Sequence, residues 1–186
     1  MRVSLHREPI GAIAIARHYI RDLIYGANDG IITTFAVVAG VTGGALSPKA
    51  VLIVGTANLL ADGLSMGVGN YLSIRSHESA RAAQALPEEE AAPMRHGLAT
   101  FLAFAIAGAL PLLPYAFGAP DIRFGLSTLV TFGALFVIGS LRSLVTVDRW
   151  VTAGLEMLLL GALVAAAAYG SGALVAWLLM DPATAP

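Results

Sequence analysis

Apolar residues along this chain gather in long runs that polar residues interrupt at only a few points. Five runs stand out, at about 22–43, 50–74, 97–117, 124–146 and 151–177. Each holds about 20 residues or more, enough for a helix rising ~1.5 Å per residue to cross ~30 Å of hydrocarbon. The pattern predicts an all-α integral membrane protein with five transmembrane helices. Gly43-Gly44 with Ser47-Pro48 marks the first turn, Gly118-Ala119-Pro120-Asp121 the third and Asp148-Arg149 a tight fourth. Only Arg142, Asp148 and Arg149 separate the last two runs.

Composition agrees with the pattern. Of the 186 residues 57% are hydrophobic and 12% charged, about half the charged fraction of a soluble domain, and the mean hydropathy is +0.77. A net charge of -1 supplies no global basic field for nucleic acid. The absence of cysteine excludes disulfides, thiolate metal sites and cysteine catalysis. The four histidines, His6, His18, His77 and His96, all fall near segment ends, which argues against a histidine-rich cage inside the membrane.

Arg2 and Arg7 precede a short apolar run at 10–16. A signal peptide would look like this; so would an amphipathic helix on the inner membrane face, with Arg2, Arg7 and Arg17 at the headgroups. The second reading gives a cytoplasmic segment at 1–20, a membrane domain at 21–180 and a tail at 181–186. Lys and Arg set the orientation. Nine of the 11 basic residues, Arg2, Arg7, Arg17, Arg21, Arg75, Arg81, Arg95, Arg142 and Arg149, fall on one side, and Lys49 and Arg123 on the other. The N-terminus is therefore expected in the cytoplasm and the C-terminus outside.

The one sizeable loop, residues 75–96, is too short for a domain of its own. It reads either as a solvated connector with helical extensions of its neighbouring spans or as a weak cytoplasmic collection site for cations. The second reading uses Glu78, Glu88, Glu89, Glu90 and His77.

Three acids lie inside spans: Asp29, Asp62 and Glu156. Counted from the nearest basic residues, they and Met66 sit about 10–20 Å below one face, so they have the depth to converge on one site. Acids at membrane depth are costly and are functional-site hypotheses by default. Asn58, Asp62 and Met66 are spaced four apart and share a helix face, with Gly63 and Gly67 making an adjoining stripe for close helix approach. Gly26 and Gly30 repeat that stripe in the first span, where Thr33 follows Asp29 by one turn. Asn28-Asp29-Gly30 also invites a local distortion whose freed carbonyls would help to bind an ion. The competing structural reading has Asp29 pairing with a partner and locking the bundle. Hard oxygen from Asp and Asn beside a soft thioether suits a borderline divalent ion such as Fe²⁺ better than Mg²⁺, Ca²⁺ or Cu⁺. Such a site takes either a divalent cation or protons, the elementary coupling of an antiporter. Glu156 and Thr33 are candidates for a relay.

Three stretches carry a resemblance: residues 21–30 (RDLIYGANDG), 61–71 (ADGLSMGVGNY) and 111–115 (PLLPY). They are similar to the vacuolar iron transporter family, over about residues 19–172. The resemblance implies a five-helix homodimer that exports Fe²⁺, and often Mn²⁺, from the cytosol in exchange for protons. The metal is substrate, and no prosthetic group is implied. The ligands it implies include Asp29 and Met66, and the reading from the residues themselves adds Asp62 and Asn58. A bacterial member would lie in the inner (plasma) membrane, and a separate ferritin-like partner is conceivable. Two departures stand out. The long glutamate-rich cytoplasmic domain of well-studied members is reduced to residues 75–96, and Asn58 stands where some members carry a carboxylate. Two other classes compete: a non-transporting scaffold with structurally paired acids, and an intramembrane aspartyl protease built on Asp29 and Asp62. Neither acid has the usual G-x-G-D setting of the latter.

Overall fold

The computed structural model describes residues 9–144 and 146–179. The positions of Arg2, Arg7 and the 181–186 tail lie outside them. Among the described residues the chain is helical with no β-sheet, and five helical segments are long and apolar enough to cross a membrane.

Helix α1 spans Ala12–Gly43 in one piece. The expected separate amphipathic helix is instead continuous with the first span, because residues 12–25 contain no glycine or proline to break it. Helix α2, Pro48–Ala83, opens on Ser47, whose hydroxyl accepts from the Ala50 amide at 3.4 Å, with Pro48 in the first turn where no N–H is needed. It closes through Leu86 N–H to Arg81 O at 3.0 Å, with Ala85 held at a left-handed φ of 56°. The third span begins as α3, Pro93–Ala109, passes through a 3₁₀ turn at Leu110–Leu112 and ends as α4, Leu113–Phe117. Pro111 and Pro114 remove two ladder donors there. The break is anchored from both sides. Ser127 Oγ donates to Pro111 O at 2.7 Å, and the buried Tyr115 hydroxyl bonds Thr42 Oγ1 at 3.0 Å. Helices α5, Arg123–Arg142, and α6, Trp150–Leu179, complete the bundle.

Glycine stripes decide the packing. Gly26 and Gly30 on α1, and Gly63 and Gly67 on α2, all turn toward α3; a Cβ at Gly67 would stand 2.8 Å from the carbonyl oxygen of Gly97. Helix α3 is thus wedged between α1 and α2, as the small-residue spacing predicts. On the far side α1 meets α6 and α5, and α2 packs mainly on α1 and the third span. The core gathers Phe35, Val38, Val51, Leu59, Phe104 and Tyr115, and the outer surface is apolar, with Ile53, Leu64, Leu163 and Trp177 exposed. An apolar exterior around a helical interior is what hydrocarbon as solvent requires.

At 32 and 36 residues, α1 and α2 are about 48 and 54 Å long, more than a bilayer core needs. Their surplus turns project at the end that carries Arg17, Arg21, Arg75, Arg81 and Arg95, here called the basic end.

Candidate functional site

Two groups of ionisable side chains are built on this frame. The first lies within the spans. Asp29 on α1 and Asp62 on α2, both half-buried, come within electrostatic reach of each other. Thr33 does not add a donor to this pair: its hydroxyl bonds back to the Asp29 backbone carbonyl at 2.8 Å. Met66 packs on the core cluster that contains Leu59 and Phe104, and Asn58 is half-buried one turn before Asp62. Each i+4 step turns a helix by about 40°, so Asn58 and Met66 stand roughly 80° apart on α2. Glu156 does not join the acids. It is 53% exposed at its side chain and pairs with Arg142 on α5 at 2.5 Å.

The second group lies at the basic end, where α1, α2 and α3 meet. Asp22 is 3% exposed, and its two oxygens are occupied by different helices. Oδ2 accepts from His96 Nδ1 at 2.5 Å, and Oδ1 accepts from Asn70 Nδ2 at 2.9 Å. The same Asn70 amide nitrogen donates to Thr100 Oγ1 at 2.8 Å, and Thr100 donates to the His96 backbone carbonyl at 2.9 Å. A buried carboxylate is tolerable when its lone pairs are filled in this way. On the other side of the His96 ring, Nε2 stands 3.0 Å from Glu90 Oε2, which is 3.3 Å from His18 Nε2. Tyr19 closes the layer, its ring centroid 4.7 Å from that of each histidine.

The loop glutamates do not act as one group. Glu78 is buried and accepts the amides of Glu89 and Glu90 at 3.2 and 3.1 Å, which folds the connector back onto α2. Glu89 pairs with Arg81 at 2.8 Å and approaches His77 at 3.9 Å. Glu88 takes part in none of these pairs, and Glu90 is the glutamate that reaches His18 and His96. The connector is helical well beyond the second span, to Ala83, and then compact rather than open.

Asp22, His18, His96, Asn70 and Thr100 are absent from the sequence-based candidates. Their signal is a set of i+4 pairs, His18/Asp22 on α1 and His96/Thr100 on α3. Asn70 continues the series of Asn58, Asp62 and Met66. By that point α2 has turned about 120°, which faces Asn70 toward α1 and α3 instead of Asp29. Position near the helix ends made the histidines look peripheral, whereas the surplus helix length partly covers His18 and buries His96.

These features define a polytopic helical membrane protein with acids at membrane depth and a buried polar layer at one end. The sequence profile of the VIT family matches residues 20–91 and 78–173, and the chain belongs to that family. The two matched stretches overlap within the connector, at 78–91. Among relatives, a vacuolar iron transporter of Toxoplasma gondii (strain ATCC 50861 / VEG) is 45% identical over 71 residues, which are 38% of this chain but 24% of that protein. One from Centaurea cyanus is 26% identical over 210 residues, covering 81% of this chain and 85% of its own. Vacuolar iron transporter 1 of Oryza sativa subsp. japonica is 28% identical over 209, covering 81% and 83%. Both plant alignments are longer than this chain's 186 residues, so they open gaps in it.

Proposed function

We propose that this chain transports divalent metal, Fe²⁺ first and Mn²⁺ as a second cargo, out of the cytosol in exchange for protons. Membership of a family whose relatives are named vacuolar iron transporters supports the iron. The observation that carries the mechanism is the approach of Asp29 to Asp62 from neighbouring helices inside apolar spans. Two carboxylates in that setting repel each other, and either one divalent cation or protons relieve the repulsion. Occupancy by one excludes the other, which couples them. Met66 supplies the soft donor that favours Fe²⁺ over Mg²⁺, and Asn58 a neutral oxygen one turn away.

The basic end faces the cytoplasm in this reading, with the C-terminus outside. The chain works as a homodimer in a plasma membrane. Helix α2 supports the dimer: it packs mainly on α1 and the third span, and Asp29, Asp62 and Met66 are half-covered. A second copy across that face would remove two acids from lipid and complete the coordination.

The test is uptake by proteoliposomes with Fe²⁺, Mn²⁺, Co²⁺ and Zn²⁺ in competition across an imposed pH gradient. Uptake of Fe²⁺ that moves protons the other way is expected. Asp29→Ala and Met66→Ala should each lower it at least tenfold, about 1.4 kcal/mol of lost stabilisation. Undiminished transport in both variants removes the site assignment, and transport by neither wild type nor variants returns the acids to a scaffold role.

A further inference from the structure

We infer that the basic end holds a second divalent-cation site, formed by His18 Nε2, Glu90 Oε2 and His96 Nε2 and separate from the Asp29–Asp62 pair. The three ligand groups come from α1, the connector and α3, and their donor atoms lie within 4.8 Å of one another. Ligands of a tetrahedral ion at ~2.1 Å stand about 3.4 Å apart, and the two approaches to Glu90 are 3.0 and 3.3 Å.

Three observations favour a metal over a plain ion pair. First, the His96 side chain is only 6% exposed, and its Nε2 lies close to Glu90 without the alignment of a hydrogen bond. Second, the opposite ring nitrogen is held by Asp22, itself fixed by Asn70. Carboxylate–histidine–metal chains use this arrangement to set the tautomer and aim the second nitrogen. Third, a cleft of about 440 Å³, lined in part by His77, Glu78, Glu89, Glu90 and His96, opens beside the donors and offers an entry path for the ion and room for its remaining water ligands.

Two imidazoles and one carboxylate select a borderline first-row ion, Fe²⁺ or Zn²⁺, and not Mg²⁺ or Ca²⁺, which need oxygen alone. An ion bound there bridges the connector to α1 and α3, so a chain whose connector is short still gains a metal-binding element at that end. The inference stands on these residues alone and does not depend on transport through Asp29 and Asp62.

The experiment is titration of the full chain, purified in detergent and stripped of metal, with Co²⁺ as a visible probe, followed by displacement with Zn²⁺. X-ray absorption on the Zn²⁺ form counts the imidazole ligands. In the Asp29→Ala, Met66→Ala double variant, which removes the other site, one equivalent bound by two imidazoles is expected, unaffected by a large excess of Mg²⁺, and the wild type should show the same imidazole-ligated signal. His18→Ala and Glu90→Gln should each weaken binding at least tenfold. Asp22→Asn, which acts through His96, should weaken it by about 10–100-fold while leaving the ligand count at two imidazoles. His18 is the decisive position because its side chain is 25% exposed and its removal spares the core. Absence of imidazole-ligated metal in the wild type overturns the site. So does equal affinity in a folded His18→Ala protein, and so does loss of the same signal in the Asp29→Ala, Met66→Ala variant.

Discussion

Asp22 and Asp29 sit two turns apart on one helix and live in opposite surroundings. Asp22 is buried, with both oxygens engaged by His96 and Asn70 from two other helices. Asp29 is half-buried, and the charged group within its reach is another acid, Asp62. One carboxylate has its partners built in, and the other is left for something that arrives. The contrast separates an acid that holds the fold from an acid available for work, a distinction that residue type and apolar context do not make.

The comparison breaks most easily at Asp22. Asp22→Ala strands the His96 and Asn70 donors in a dry layer and should cost about 3–5 kcal/mol of stability, read as a large drop in thermal unfolding temperature in detergent. Asp62→Ala removes a repulsion and should leave that temperature level or higher. Equal losses in the two variants would erase the distinction. A smaller effect tests whether the regions communicate. Gly97 adjoins His96, and a Cβ there would stand 2.5 Å from the Gly67 carbonyl oxygen, so Gly97→Val should force α2 from α3 at a cost of about 1–3 kcal/mol. Loss of Fe²⁺ uptake in a folded Gly97→Val protein would show that the α2–α3 contact sets the spacing of both groups; intact uptake would show them independent. The smallest effect belongs to Glu156. Its own side chain is more than half exposed in the pairing with Arg142, so Glu156→Gln should change stability by about 0.2–1 kcal/mol and leave uptake at the wild-type level. A large transport defect would return Glu156 to the pathway as a relay.

Much of this was legible in the chain itself. Five apolar runs, the turn residues between them and the two glycine stripes prescribe five spans with α3 held close to α1 and α2. The Asp29 and Asp62 positions are equally legible, because acids are rare in such runs and both lie about 10–20 Å below the same face. Glu156 misleads by the same logic: depth along a helix says nothing about which way the side chain turns, and Glu156 turns to Arg142. The loop glutamates mislead differently. Clustering in sequence suggested one collection site, but Glu78 closes the connector through amide hydrogen bonds, Glu89 pairs with Arg81, and Glu90 faces His18 and His96.

Hydrophobic runs, turn chemistry and small-residue spacing therefore determined the number of spans, the turns between them and the glycine faces that pack on α3, since each is a property of a single segment and its solvent. Tertiary structure alone decided which polar groups share a site. His18, Asp22, Asn70, Glu90 and His96 span more than seventy positions along the chain, and they meet because α1 and α2 outrun the bilayer core and the connector folds back between them. Convergence of that kind depends on the rotation of several helices at once, and no local pattern records it.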